Sequence, residues 1–226
     1  MIITIDGPAG TGKSTVAQIV AERLRLDFLD TGAMYRAVGL EVLRRNARLD
    51  DPRELAFIAE HCRIEFDYTS RPPGIFLNGQ PVGHLLRGKD ATTAASFVAV
   101  VPAIREQLVM QQQEIGRKHP NLVTEGRDQG TVVFPNAALK FFLDATPQER
   151  ARRRLAQLRL RGEIVEFNEI LKDIISRDER DRNRPVGPLK PPLDAEIIDT
   201  TTLTQSQVIE QIVARAKRLE EAGQQI

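Results

Sequence analysis

The sequence predicts an α/β fold in which a parallel sheet is flanked by helices on both faces. Short apolar runs rich in β-branched residues alternate along the chain with longer segments whose apolar residues recur at a helical period. The length of 226 residues and the hydrophobic content of 41% suit one domain, or one domain with an insertion. A chain of this size buries enough surface to fold without a disulfide or a structural metal.

Five short apolar runs predict the core strands. They are residues 2–5, 26–29, 122–124, 139–143 and 196–199. Runs of this kind are typical of parallel strands that are buried on both faces. The sheet is therefore predicted to have five parallel strands.

Apolar periodicity predicts the helices, and some of them have start signals. Proline follows a capping residue at Asp51-Pro52 and at Thr146-Pro147, and Thr204 precedes the last helix. The other predicted helices are residues 13–25, 34–45, 91–101, 103–117 and 168–182. A helix is thus predicted after every strand except 122–124, which is followed by the strand at 139–143.

Residues 62–82 have a different pattern, with three short strand-like pieces and the Pro72-Pro73 pair. Asn78-Gly79 between the last two pieces is typical of a tight hairpin turn. We therefore predict a small β insertion within the α/β chain.

Composition excludes several classes of protein. The net charge of +1 creates no field towards nucleic acid or membranes, and no apolar run approaches the ~18 residues of a membrane span. Cys62 is the one cysteine, and the three histidines lack metal-ligand spacing. The sequence opens on an apolar strand without a leader signal, so we expect a cytoplasmic protein.

A phosphate-binding motif follows the first strand. The match to G-x-x-x-x-G-K-[ST] consists of Gly7, Pro8, Ala9, Gly10, Thr11, Gly12, Lys13 and Ser14, with Thr15 next in the helix. Glycines let backbone N–H groups point at an anion, and the helix that follows adds its positive dipole end. Lys13 is suited to the β- and γ-phosphates of ATP, and the Ser14 hydroxyl is suited to Mg²⁺. The motif therefore predicts a P-loop that binds a nucleoside triphosphate.

Other P-loop proteins fit the sequence less well. Neither D-x-x-G nor N-K-x-D, the strings typical of a GTPase, occurs in the chain. An apolar strand that ends in Asp-Glu, typical of DNA-linked ATPases, is absent too. Among these classes of P-loop protein, the sequence therefore favours a kinase.

Arginines are concentrated in places that suit phosphate binding. Arg36 and Arg127 follow predicted strands, and parallel strands present their carboxyl ends to one ligand crevice. Further arginines lie at residues 150–161 and 177–184. Two alternatives remain for these segments, a solvated helix face and local pairs such as Arg177 with Asp181. Nucleic-acid binding is not favoured, because no aromatic residues alternate with these arginines.

Five strings in this order resemble the bacterial cytidylate kinase family. They are IDGPAGTGKST at 5–15, LDTGAMYR at 29–36, EGRDQGTVVFP at 125–135, FLDA at 142–145 and RDERDRNR at 177–184. The resemblance implies a P-loop NTPase fold with a core of residues 1–62 and 101–226, an insertion at 63–100 that binds the nucleoside monophosphate, and a lid at about 150–165. It also implies ATP, Mg²⁺ and CMP as ligands.

The resemblance implies roles for individual residues. The implied contacts are Thr31, Ser96, Arg105 and Asp128 for CMP, Arg36 and Arg127 for the acceptor phosphate, Arg177 and Asp181 for the sugar, and Lys13, Arg127 and Arg184 for the transferring phosphate. Thr31 and Glu125 stand where family members often have serine and aspartate, which preserves a hydroxyl and a charge. Gln129 stands in place of an apolar residue, for a reason that is not apparent in the sequence.

The implied base contacts also make chemical sense. Cytosine presents an amino group to which a carboxylate such as Asp128 can bind, whereas uracil presents a carbonyl there. Arg105 can donate to the acceptor side of the ring. A wrong base would leave buried polar groups unpaired, so UMP should be the poorer substrate.

The sequence therefore predicts a monomeric enzyme that phosphorylates CMP and dCMP with ATP and Mg²⁺ and binds neither nucleic acid nor membranes. One alternative is a P-loop kinase for another small acceptor, such as shikimate or another nucleotide. A second is a nucleotide-binding regulatory module that hydrolyses or senses ATP.

Overall fold

A computed structural model describes residues 1–86 and 88–223. The chain forms two compact units, one of Met1–Leu26 with Asn121–Ile226 and one of Asp27–Pro120. The strands are β1 (Ile2–Asp6), β2 (Asp27–Asp30), β3 (Ile64–Asp67), β4 (Gly74–Leu77), β5 (Gln80–Pro81), β6 (Leu122–Gly126), β7 (Leu139–Asp144) and β8 (Glu196–Asp199). The α-helices are α1 (Lys13–Leu24), α2 (Thr31–Arg44), α3 (Pro52–Glu60), α4 (Lys89–Val98), α5 (Pro102–Lys118), α6 (Pro147–Leu160), α7 (Phe167–Asn183) and α8 (Gln205–Gly223).

The predicted sheet of five strands is confirmed, with the order β2-β6-β1-β7-β8. Within the first unit, β1 lies in parallel register between β6 and β7, so that Asp6 is opposite both Gly126 and Phe142. Strand β8 extends the sheet by pairing in parallel with β7. The loops that follow β1, β6 and β7 therefore leave the sheet at one edge, as the sequence predicts.

The first unit is built around β1, whose Ile3 and Ile5 are fully buried. Thr4 and Asp6 alternate with them and are also fully buried, so this strand has a polar side chain at every second position.

The three helix starts predicted at Asp51, Thr146 and Thr204 are all present. For example, the Thr146 hydroxyl accepts a hydrogen bond from the Glu149 N–H at 3.3 Å.

The second unit contains the predicted hairpin. Strand β3 pairs antiparallel with β4, which pairs with β5 across Asn78 and Gly79. Both turn residues have positive φ angles, 52° and 77°, which is the conformation that Asn-Gly favours. In the same unit α2 and α4 pack closely at Gly39, which has no Cβ. A Cβ added there would lie only 2.8 Å from the Ala95 nitrogen.

Several bounds differ from the predictions. Helix α2 begins at Thr31 rather than residue 34, because the Asp30 carboxylate accepts from the Ala33 N–H at 2.8 Å and caps the helix directly after β2. The predicted strand at 62–68 is limited to Ile64–Asp67, and the predicted helix at 91–101 is Lys89–Val98. A π-helical turn at Gln129–Val133 has no sequence signal that we could identify.

The 63–100 segment lies within the second unit, and the bounds of a monophosphate-binding insertion and of a lid remain predictions. Across the described residues, no single helix is long and apolar enough to cross a membrane. The bent pair Asp90–Val98 and Pro102–Lys118 meets that test only when its two helices are counted together.

Candidate active site

The P-loop connects β1 to α1 and has the conformation that its glycines permit. The φ angles of Gly7, Gly10 and Gly12 are 147°, 85° and 91°, in a region that side chains rarely adopt. Gly12 precedes the first residue of α1 and has no side chain with which to cap the helix. The first N–H groups of α1 are thus suited to an anion rather than to an internal cap.

Lys13 is buried and donates from Nζ to the carbonyl oxygen of Pro8 at 2.8 Å. Burial, and then the positive charge of Arg127, lower the pKa of Lys13 below its ordinary value. The negative charges of Glu125 and Asp6 oppose this shift. A phosphate group beside Lys13 would favour its charged form, which burial otherwise disfavours.

The side chains of Ser14 and Glu125 are hydrogen-bonded to each other beside the loop. The Ser14 hydroxyl donates to the Glu125 carboxylate at 2.9 Å, and Glu125 is buried at the end of β6. No cluster of three or more acidic, histidine or cysteine side chains that could hold a metal was found among the described residues. The role of Ser14 as a magnesium ligand, expected from the motif, stays a prediction, and Glu125 is the carboxylate that lies beside it.

Asp6 is a buried carboxylate that the sequence analysis missed. Its two oxygens accept from the backbone N–H groups of Gln129 at 2.9 Å and Gly130 at 2.8 Å. Burial raises the pKa of Asp6 to about 7, against the opposing effect of these two donors. The bonds attach the π-helical turn to the strand that carries the P-loop.

The side chain of Gln129, which stands in place of an apolar residue, has a buried polar partner of its own. Its side chain is 1% exposed, and its Oε1 accepts from the Thr124 hydroxyl at 2.9 Å. Thr124 is opposite Thr4 in the sheet, on the same face as Asp6. Gln129 therefore belongs to a buried polar layer beneath the turn that follows Asp128.

Arg127 and Asp181 form a half-buried ion pair, with Nε 2.8 Å from Oδ2. Burial lowers the pKa of Arg127, but the charge and hydrogen bond of Asp181 outweigh burial and raise it. Burial likewise raises the pKa of Asp181, and the charges of Arg127 and Arg177 outweigh it and lower the pKa. Both groups are therefore held in their charged forms.

Two further predicted residues lie close to this pair. Arg184 is 3.6 Å from Asp128 and 3.9 Å from Asp181, and its Nε donates to the Gly187 carbonyl at 2.5 Å. Arg184 and Asp128 are both buried. The first unit thus brings together Arg127, Asp128, Asp181 and Arg184, and their contacts with a nucleotide stay predictions. The alternative that the 177–184 run is only a solvated, self-paired helix end does not account for the Arg127 and Asp128 contacts.

The arginines of α6 divide into two kinds. Arg150 is 1% exposed and forms a two-pronged ion pair with Asp178, so a solvated face is wrong for this residue. Arg152 is 66% exposed and pairs with Glu149 within the helix, so a solvated face is right for it.

Arg177 lies on α7 of the first unit, and the remaining predicted residues lie in the second unit. Thr31 is buried in the first turn of α2, and Arg36 on the same helix pairs with Asp30 at 2.8 Å. Asp30 therefore both caps the helix and holds the guanidinium. Thr31 and Arg36 are consequently near each other at the start of α2.

Arg105 and Ser96 lie on α5 and α4 of the same unit. Arg105 is buried, donates to the Ala99 carbonyl at 3.2 Å and lies 5.5 Å from the centre of the Tyr35 ring. The Ser96 hydroxyl donates to the Thr93 carbonyl at 2.7 Å within α4.

The parallel sheet and the glycine loop that precedes Lys13 place the chain among proteins with the P-loop NTPase fold. The cytidylate kinase family model matches residues 3–218, and the chain belongs to that family. The resemblance found in the sequence is thereby confirmed.

Individual relatives agree with the family match. A cytidylate kinase 1 from Haemophilus influenzae is 45% identical over 218 residues, which cover 96% of this chain and 94% of that protein. A cytidylate kinase from Marinomonas sp. is 44% identical, with 96% of each chain covered. The crystal structure of an uncharacterized protein from Eubacterium ventriosum has a similar fold, with a TM-score of 0.54 at 14% identity and coverage of 96% and 98%.

Proposed function

We propose that this protein transfers the γ-phosphate of ATP to CMP and dCMP, giving CDP and dCDP by direct in-line transfer. The family match over residues 3–218, which includes the P-loop and the 125–135 and 177–184 strings, carries this proposal. The curated relatives are themselves named cytidylate kinases at 44–45% identity. A kinase for shikimate or another acceptor, and a regulatory ATPase, are therefore not favoured.

The charges of the first unit suit phosphoryl transfer. The reaction needs positioning and charge neutralisation more than covalent chemistry from the protein. Lys13 would bind the β- and γ-phosphates of ATP above the P-loop backbone. Arg127 and Arg184 would bind the oxygens of the transferring group, because guanidinium groups match phosphate oxygens in pairs. Their contacts with Asp181 and Asp128 support this role by keeping both guanidiniums oriented before a nucleotide binds.

The side-chain oxygen atoms of Ser14 and Glu125 are suited to bind a magnesium ion. Mg²⁺ prefers oxygen ligands and usually takes one or two from the protein, with phosphate oxygens and water for the rest. The hydroxyl and carboxylate oxygens, 2.9 Å apart beside the loop, match that requirement. Bound there, the ion would neutralise charge between the β- and γ-phosphates.

The nucleotide contacts implied by the resemblance remain proposals. They are Thr31, Arg36, Ser96, Arg105, Arg127, Asp128, Arg177, Asp181 and Arg184 for the monophosphate, and residues 7–15 for ATP. Asp181 would have two roles in this site. Its carboxylate would accept a hydrogen bond from a sugar hydroxyl, and it also binds the Arg127 guanidinium. We also propose a cytoplasmic monomer without nucleic-acid or membrane partners.

A coupled assay of ADP release tests the function. We expect rapid turnover with CMP and dCMP, slower turnover with UMP, and little with AMP, shikimate or no acceptor. Equal ADP release with and without an acceptor would contradict a kinase and favour a regulatory ATPase. A preference for AMP or shikimate over CMP would assign a different acceptor.

Asp128→Ala should impair the use of CMP far more than the binding of ATP. A charged hydrogen bond to the cytosine amine contributes about 1.5–3 kcal/mol, so we expect kcat/KM for CMP to fall roughly 10- to 150-fold. The measurement is separate titration of CMP and ATP, with circular dichroism as the control for folding. Equal weakening of both nucleotides would show that Asp128 has a structural role beside Arg184.

A further inference from the structure

Arg150 differs from the exposed arginines of α6, because its guanidinium is buried and makes four hydrogen bonds. Nη1 and Nη2 donate to the two carboxylate oxygens of Asp178 at 3.0 and 2.6 Å. Nε donates to the Ala145 carbonyl at 3.0 Å, and Nη1 also donates to the Ala9 carbonyl at 3.1 Å. Buried arginines are rare unless they are paired, and here every contact is charge-assisted.

These contacts join three segments of the first unit. Ala145 directly follows β7, Ala9 lies within the P-loop, and Asp178 lies on α7. The neighbouring Gly10 also packs against α6, since a Cβ there would lie 3.1 Å from the Arg150 Cβ. Arg150 thus connects the loop proposed to bind ATP with the helix that carries the 177–184 run.

The position of Asp178 on α7 gives this connection a consequence. Asp178 is adjacent to Arg177 and one turn before Asp181, which is bonded to Arg127 at 2.8 Å. The contacts of Arg150 with Ala9 and Asp178 and the contact of Arg127 with Asp181 are therefore made by successive turns of the same helix. A displacement of Asp178 would move groups proposed to contact both the sugar and the transferring phosphate.

The pair is not the only contact between the two helices. An apolar cluster already joins α6 and α7, and its buried members are Ala151, Leu158, Ile170 and Ile174. Buried ion pairs often add little net stability, because apolar side chains of similar size can replace them without loss. The stability of the fold alone therefore does not explain why this site holds an arginine and an aspartate.

We propose that Arg150 and Asp178 are positioning residues for phosphoryl transfer, which fix α7 and its 177–184 run against the P-loop. This inference rests on the proposed function. A displacement of about 1 Å at a reacting group can slow a reaction about 100-fold without preventing substrate binding. The pair should therefore affect kcat more than the KM for either nucleotide.

The test compares Arg150→Met/Asp178→Leu with the wild-type protein. We expect the double variant to unfold within a few degrees of the wild type, because both charges are removed together. Its kcat should fall about 10- to 100-fold, while KM for ATP and CMP changes by less than about threefold. Arg23→Met/Glu210→Leu is the matched control, since that pair joins α1 and α8 at the surface, and its kcat should be unchanged.

A merely structural pair would give a different result. If the folded double variant keeps kcat within threefold of the wild type, the positioning role is wrong, whatever happens to its unfolding temperature. If the double variant does not fold, Arg150→Lys decides, because lysine keeps the charge but cannot form the two-pronged bond. A folded Arg150→Lys protein with unchanged kcat overturns the proposal, and a loss of tenfold or more with unchanged KM supports it.

Wild-type turnover with CMP is measured first in the same assay. A failure of the proposed function would appear in the wild type, whereas a failure of the positioning role would appear only in the variants.

Discussion

Lys13→Ala should reduce kcat at least about 100-fold while the protein stays folded. Lys13 is the buried cation of the P-loop, and its loss would leave the developing charge on the transferring phosphate without its nearest proposed neutralising group. Stability should not suffer in proportion, because burial lowers the pKa of this lysine and so disfavours its charge in the free protein. The measurements are kcat with saturating ATP and CMP, and the thermal unfolding temperature.

Lys118→Ala is the matched control for the removal of a lysine. Lys118 is 67% exposed and pairs with Glu114 on α5, so its loss should leave kcat unchanged. A folded Lys13→Ala protein that keeps more than about a tenth of the wild-type kcat, a loss under ~1.4 kcal/mol, would show that the P-loop assignment is wrong.

Gly7→Ala should destabilise the fold severely. A Cβ at this position would lie 2.0 Å from the carbonyl oxygen of Leu143 in β7, and the φ angle of 147° is unfavourable for any side chain. Overpacking costs about 1–3 kcal/mol and backbone strain adds about 1–3 kcal/mol. For a chain of this size the sum corresponds to a fall in unfolding temperature of roughly 5–20 °C.

Gly12→Ala separates the clash from the backbone strain. Gly12 also has a positive φ, 91°, but no atom lies within 4 Å of its Cβ position. Its alanine variant should therefore show only the strain, about 1–3 kcal/mol, and a smaller fall in unfolding temperature. Equal falls for the two variants would show that the close approach of Leu143 contributes nothing.

Local sequence was sufficient wherever a local interaction fixes the structure. The Asn78-Gly79 turn, the Thr146 cap and the P-loop each depend on residues within a few positions of one another, and all three are present as predicted. The five parallel strands followed from their apolar, β-branched residues, although β1 also buries Thr4 and Asp6 and three of the four residues of β8 are exposed. The family also followed from the sequence, since the five strings span nearly the whole chain.

Element bounds were less predictable. The start of α2 is fixed by a local contact that the predicted start at residue 34 did not include, the Asp30 cap on an N–H three residues away. The π-helical turn after Asp128 depends on Asp6, which is more than a hundred positions earlier in the chain and binds two of its N–H groups.

The roles of charged residues were decided by tertiary structure. In the sequence Arg150 and Arg152 have equal claims to a phosphate or to solvent, yet Arg150 is buried against Asp178 and Arg152 is exposed. Helical spacing offered Arg177 as one partner for Asp181, but it could not show that the same carboxylate bonds Arg127 from a distant loop. The cytidylate kinase family was recognisable from sequence, because the P-loop and the four other strings that carry the resemblance are each local. The pairing of charges became apparent only in the folded chain, because burial and the choice of partner depend on segments that meet through folding.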